Sequence, residues 1–95
     1  MSQRPIVQLI DILGRKWVLR ILWELNQGPC SFRELQSRCD DLSPTTINNR
    51  IKELMAESLV IKTLDAGYGL SPLGDELVEL FMPLNNFAQR WQQDK

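Results

Sequence analysis

Histidine is absent from the sequence, and glycine and cysteine are sparse, with five and two residues in a chain of 95. Without histidine the chain lacks the commonest general base and any Ser-His or Cys-His nucleophile pair. Cys30 and Cys39 lie nine positions apart, which fits no common metal pattern. No glycine-rich loop suited to a phosphate is present. These absences predict a protein that is not an enzyme and holds neither a metal nor another cofactor.

Long apolar runs are also missing, since no run reaches the roughly 18 residues that a membrane span needs. The apolar stretch behind the first five residues is too short for a signal peptide. We therefore expect a cytoplasmic protein with no membrane partner. Thiols are normally reduced in that compartment, and the two cysteines are expected to be small core residues.

Neither sign of charge is in large excess, because the chain has 11 basic and 12 acidic residues and a formal net charge of −1. The hydrophobic share of 43% and the charged share of 24% are typical of a globular protein. Ninety-five residues suit one domain, spanning residues 1–95. An acidic balance is a poor electrostatic signature for a nucleic-acid-binding protein, unless the charges segregate by face.

Helical spacing and stop signals predict two helices in the first third of the chain. The first covers residues 5–13 and ends at Gly14, a residue common just past helix ends. The second runs from about residue 16 to residue 26 and is ended by Gly28-Pro29.

Two further helices begin at serine residues. Ser31 with Glu34 three positions later is the capping-box pattern. Ser43 is a good N-cap, and Pro44 at the first helical position needs no N–H. This fourth helix is expected to end near Glu57.

The pattern changes after the fourth helix. Residues 59–64 and 68–70 favour strands separated by an Asp-Ala-Gly turn, which predicts a small β-hairpin. A long last helix is expected over about residues 73–92, with a kink or break near Met82 because Pro83 lies inside it. The predicted fold is mainly α with a small β-hairpin, a winged helix-turn-helix with the helix-turn-helix at residues 31–57 and the wing at residues 59–70.

The fourth helix has the composition of a DNA-reading helix. With Ile47, Ile51 and Leu54 directed inward, its other face presents side chains that hydrogen-bond base edges or phosphates. Threonine and asparagine are weak helix formers, so their concentration here favours a contact role over a merely solvated face. The predicted contacts to double-stranded DNA are Ser43, Thr45, Thr46, Asn48, Asn49, Arg50 and Lys52, with Arg33, Arg38 and Lys16 nearby for phosphates.

The terminal helices carry more apolar surface than a domain of this size can cover. Such a surface favours association, and a twofold homodimer would present two reading helices to a palindromic operator. The predicted dimerisation helices are residues 1–14 and 72–92. Their interface residues are Ile6, Leu9, Ile10, Leu77, Leu80, Phe81, Leu84, Phe87 and Trp91.

Several motifs, in the right order along nearly the whole chain, resemble those of HxlR-type regulators, a MarR-related winged-helix family. They are Gly14-Arg15-Lys16-Trp17, Ile21-Leu22-Trp23-Glu24-Leu25, Gly28-Pro29, Phe32-Arg33-Glu34-Leu35, residues 43–54, Glu57-Ser58-Leu59-Val60 and the run from Tyr68 to Gly74. The resemblance implies a prokaryotic, homodimeric, DNA-binding transcriptional regulator with dimer contacts from both terminal helices.

The sequence departs from the family pattern at two places. Many members carry a sensor cysteine at or before the first helix, whereas residues 1–11 contain none. The wing is shorter than usual and has Asp65 where the family tends to have basic residues. Together with the acidic balance, the short wing keeps open an alternative function as a winged-helix module that binds protein and not DNA. The sequence identifies no effector ligand.

Overall fold

The structure, a computed structural model, describes residues 4–95, so the first three residues of the predicted 1–14 segment lie outside the described part. Helices α1 to α4 are followed by a two-stranded sheet and by α5 and α6. The elements are α1 (Pro5–Leu13), α2 (Val18–Leu25), α3 (Phe32–Arg38), α4 (Pro44–Ala56), β1 (Val60–Lys62), β2 (Tyr68–Leu70), α5 (Pro72–Glu79) and α6 (Phe81–Asp94). Over residues 4–95, every helix is too short or too polar to span a lipid bilayer.

Serine side chains cap the N-termini of α3, α4 and α5, as the sequence analysis predicts for α3 and α4. The Ser31 hydroxyl accepts the Glu34 N–H at 3.1 Å, and the Glu34 carboxylate accepts the Ser31 N–H at 3.1 Å, which completes a capping box. The hydrogen bond from the Ser31 backbone N–H to the Glu34 carboxylate lowers the pKa of that carboxyl group. Ser43 and Ser71 accept the backbone N–H three residues on at 3.2 and 2.9 Å. Each cap satisfies an N–H that has no partner within its helix.

One helix boundary differs from the sequence-based expectation, and one expected break is observed close to its predicted position. Helix α2 begins at Val18 and not near residue 16, because Trp17 has a φ of +76°, in the left-handed region that a helix excludes. The long last helix is divided at Leu80 into α5 and α6, close to the break expected near Met82. Pro83 has no N–H to donate to the carbonyl four residues earlier, at Glu79, where α5 ends.

The core lies where α2, α3 and α4 meet β1 and the junction of α5 with α6. Helix α4 buries Ile47, Ile51 and Leu54, as its apolar spacing predicts. Cys30 and Cys39 are also buried. The remaining buried apolar residues are Val18, Ile21, Leu22, Leu25, Leu35, Leu59, Val60, Val78 and Phe81.

The wing is a short antiparallel hairpin that is hydrogen-bonded to the rest of the domain through the Cys30 backbone. Val60 pairs with Leu70, and Lys62 pairs with Tyr68. The Cys30 and Tyr68 backbones exchange two hydrogen bonds, of 3.0 and 2.8 Å. A Cβ at Gly67 would lie 2.6 Å from the Cys30 carbonyl oxygen, so only glycine allows this approach.

Candidate nucleic-acid interface

Helix α4 presents a polar face opposite its buried one. Thr45, Asn49 and Lys52 are exposed, and Thr46 and Asn48 are half-buried at its margins. Positions three and four apart are neighbours on a helix, so these side chains form one continuous surface. Five of the seven α4-region residues predicted as DNA contacts are therefore brought together on this surface.

The hydroxyl groups of Ser43 and Thr46 are joined at the start of α4. The Ser43 hydroxyl donates to Thr46 Oγ1 at 2.8 Å and accepts the Thr46 N–H at 3.2 Å. The Thr46 hydroxyl keeps its own proton for an external acceptor. The helix N-terminus adds a partial positive charge that favours a phosphate nearby.

Arg50 is held within the chain, although its sequence position predicts a free side chain at the margin of the polar face. Its Nε donates to the Lys16 carbonyl at 3.0 Å, and its Nη1 donates to Glu53 Oε1 at 2.6 Å. Arg15 reaches the other Glu53 oxygen at 3.4 Å. Arg50 thus connects α4 to the segment before α2.

Arg38 is likewise directed into the chain, where its Nη1 donates to the Glu24 carbonyl at 3.3 Å. Arg20 donates to the Arg38 carbonyl at 2.6 Å, to the Glu24 carboxylate at 2.8 Å and to the Asp40 carboxylate at 3.4 Å. The hydrogen bond to Glu24 is the main cause that raises the pKa of Arg20. This arginine clamp fixes the turn between α3 and α4, where Asp40 and Asp41 have φ values of +60° and +57°.

Three of the predicted phosphate-contacting cations have side chains with neither a salt bridge nor a hydrogen bond in the part of the chain that the structure describes, whereas Arg38 donates to a carbonyl. They are Lys16, Arg33 and Lys52, and all three are exposed. Salt bridges occupy Arg15, Arg20 and Arg50 instead. The cations available near α4 are thus fewer than the sequence predicts.

The terminal helices expose the apolar surface on which the dimer prediction depends. Phe81, in contrast, is only 8% exposed and belongs to the core of its own chain, so it is not available to a second subunit. Leu9 and Leu77 are half-buried. The predicted interface residues that remain more than half exposed are Ile6, Ile10, Leu80, Leu84, Phe87 and Trp91.

No group of cysteine, aspartate and glutamate residues between positions 4 and 95 is arranged to hold a metal ion. Burial raises the pKa of the Cys30 and Cys39 thiols. Both sulfur atoms are therefore protonated at neutral pH, which is the form that neither attacks electrophiles nor binds metals.

Solved structures from Bacillus subtilis and Thermoplasma volcanium share this fold. The quinone-bound form of YodB from Bacillus subtilis superposes with a TM-score of 0.83 at 24% identity, covering 94% of this chain and 99% of that one. A possible HxlR-family transcriptional factor from Thermoplasma volcanium GSS1 gives 0.81 at 23% identity, covering 99% and 90%. At these identities the likeness shows the winged-helix fold alone.

Sequence relatives include two HTH-type transcriptional regulators. YvaP of Bacillus subtilis strain 168 is 27% identical over 88 residues, which is 86% of this chain and 82% of the relative. MJ0925 of Methanocaldococcus jannaschii is 27% identical over 93 residues, or 94% and 87%. The family model for the HxlR-like helix-turn-helix matches residues 12–95. The chain therefore belongs to the HxlR-like helix-turn-helix family of transcriptional regulators.

Proposed function

We propose that this regulator acts as a homodimer that binds a palindromic DNA operator sequence-specifically, with α4 in the major groove of each half-site. The observation that carries the proposal is the exposed polar face of α4, with Thr45, Asn49 and Lys52 at its centre. A helix fits the width of the major groove, where every base pair offers a distinct set of donors and acceptors.

The residue types on this face match the chemistry of base and phosphate recognition. The Asn49 amide has both a donor and an acceptor, as adenine requires, and the Thr45 methyl can contact a thymine methyl. Lys16, Arg33 and Lys52 supply phosphate contacts, which set the position of the protein without reading sequence. Arg38 and Arg50 are assigned a supporting role because their guanidinium groups already have partners in the chain.

Two copies are proposed to pack through the exposed apolar residues of α1 and α6. A twofold dimer covers this surface and places the two α4 helices in symmetric positions. Dimers of helix-turn-helix proteins read half-sites about 34–36 Å apart, or one helical turn. A palindromic operator follows from this symmetry.

Selection of bound duplexes from a random pool, at 50 and 200 mM salt, tests the proposal. We expect enrichment of one palindromic motif and an affinity that falls steeply as salt rises. A protein that enriches no motif and binds DNA independently of salt would fit the alternative, a winged-helix module that binds other proteins.

Replacement of Asn49 by alanine directly tests the proposed base contacts of the polar face of α4. We expect Asn49→Ala to weaken binding to the selected operator by about 1–3 kcal/mol, because one bidentate base contact is lost. Asn86→Ala is the matched control, since Asn86 is an exposed asparagine on α6. Equal operator affinity of the Asn49 variant and the wild type in a fluorescence anisotropy titration would remove Asn49 from the proposed contacts.

A further inference from the structure

Glu53 is an acidic residue on the helix proposed to enter the major groove. It lies four positions after Asn49 and hence one turn along the same side of α4. Its two carboxylate oxygens hold two guanidinium groups, that of Arg50 at 2.6 Å and that of Arg15 at 3.4 Å. One carboxylate thus pairs with an arginine of α4 and with a second arginine from the segment before α2.

Stability alone does not account for this cluster. The Arg15 and Glu53 side chains are 45% and 33% exposed, and water screens ion pairs at such positions to about 0–1 kcal/mol. Arg50 is already fixed by the bond from its Nε to the Lys16 carbonyl. The Glu53 carboxylate therefore adds little to the attachment of α4.

We infer that Glu53 determines specificity by withholding the Arg15 guanidinium and the Nη1 group of Arg50 from DNA phosphates. This inference rests on the proposed function. Phosphate contacts supply essentially all of the affinity for unrelated DNA, and they carry no sequence information. Base contacts fix the register of the operator complex, whereas an unrelated duplex lets freed arginines take the nearest phosphates. Releasing them strengthens unrelated binding more than operator binding.

Glu53→Gln tests this role because it removes the charge and keeps the shape of the side chain. On an unrelated duplex, we expect the slope of log affinity against log salt to steepen by about 0.9 for each released arginine that reaches a phosphate. Between 50 and 200 mM salt, each such contact enlarges the loss of affinity by about 3.5-fold. The ratio of operator affinity to unrelated affinity is expected to fall.

Glu57→Gln is the matched control. Glu57 is exposed at the C-terminal end of α4 and has no salt bridge to any basic residue in the stretch 4–95. Its replacement makes the same change in net charge without freeing an arginine. We expect its salt slope to equal that of the wild type, so an equal steepening in both variants would attribute the effect to net charge and overturn the inference.

The Arg15→Gln variant distinguishes an Arg15 that Glu53 keeps away from DNA from an Arg15 that contacts a phosphate directly. In the wild-type background the variant is expected to keep the wild-type salt slope, because Glu53 already keeps Arg15 from DNA. In the Glu53→Gln background it is expected to reverse about 0.9 of the steepening. The single variant also tests the inference if Glu53→Gln does not fold, since a shallower slope would mean that Arg15 contacts phosphate.

The outcomes distinguish this inference from the proposed function. A wild-type protein with no salt-dependent affinity for any duplex contradicts the proposed function itself. A wild type that binds with a clear salt slope, together with a Glu53→Gln variant of the same slope, overturns only the role of Glu53. Weaker operator binding by Glu53→Gln at an unchanged slope would show that the carboxylate contacts a base, and would also overturn it.

Discussion

Burial in the core affects the ionisation of two thiol groups, those of Cys30 and Cys39. Both lie in the core, and burial raises the pKa of each thiol above its ordinary value. The folded protein therefore keeps thiol protons that the unfolded chain releases. Their contribution to stability is complete below the ordinary thiol pKa of about 8.5 and is lost as pH rises above it.

We expect the free energy of unfolding to fall between pH 7.5 and pH 10 more steeply for the wild type than for a Cys30→Ala/Cys39→Ala variant. Urea titrations followed by tryptophan fluorescence at several pH values measure this difference. Other groups also titrate in this range, and the double variant corrects for them. Parallel pH profiles of the two proteins would mean that the thiols ionise as readily in the folded chain as in the unfolded one.

The other side-chain hydrogen bonds are of two kinds, those that the sequence predicts and those that it does not. The serine caps are predictable because a cap is a contact over three residues. The bond from Arg20 to the Arg38 carbonyl joins residues 18 positions apart, and the bond from Arg50 to the Lys16 carbonyl joins residues 34 positions apart. A pattern of neighbouring residues does not predict contacts over such separations in the sequence. The two consecutive aspartates after α3 are the one available hint of the clamp, since aspartate tolerates the left-handed conformation.

At the scale of elements, α5 approaches the chain between α4 and β1 through a glycine. A Cβ at Gly74 would overlap the Leu59 carbonyl oxygen, so the backbone would have to move. The Ser71 hydroxyl fixes the same junction by donating to the Ser58 carbonyl at 2.6 Å. The position of the terminal helices relative to the wing therefore depends on this contact.

Gly74→Ala is expected to destabilise the domain, although alanine favours a helix over glycine by about 1 kcal/mol. The clash pushes α5 away from Leu59, the residue before β1, and overpacking of this kind costs about 1–3 kcal/mol. Thermal unfolding followed by circular dichroism measures the change. Glu76→Ala, at an exposed position of the same helix, is the control and is expected to alter stability by about 0.5 kcal/mol or less. A Gly74→Ala variant more stable than the wild type would show that α5 is free to shift.

Element boundaries follow from sequence where a single residue decides them, as the break before Pro83 illustrates. The direction of an apolar side chain on an amphipathic helix is harder to assign. Phe81 and Leu84 both belong to the apolar stripe of the last helix, yet Phe81 is buried against its own chain and Leu84 is exposed. That difference depends on which side of α6 packs against the rest of the chain, a long-range contact that no local pattern encodes.

At the scale of the whole molecule, the exposed apolar stripe that runs from Leu80 along α6 is the feature that a lone chain leaves unexplained. Leu80, Leu84, Phe87 and Trp91 are each more than half exposed and recur at spacings of three and four, so they form one continuous apolar surface. Ile6 and Ile10 on α1 add to the exposed apolar area. Soluble monomers rarely leave so large a contiguous apolar surface in water.

We therefore expect the wild type to be a dimer at micromolar concentration, and Leu84→Glu to dissociate it. A carboxylate at the centre of the stripe would be buried without a partner, which weakens the dimer by about 2 kcal/mol or more, or roughly 30-fold. Asn86→Glu is the matched control, because two residues turn a helix by about 200° and place Asn86 opposite the stripe. Light scattering measures the mass, and DNA titration follows in parallel. A monomeric mass for the wild type, or an unchanged dimer for Leu84→Glu, would contradict the assignment of this stripe as the dimer interface.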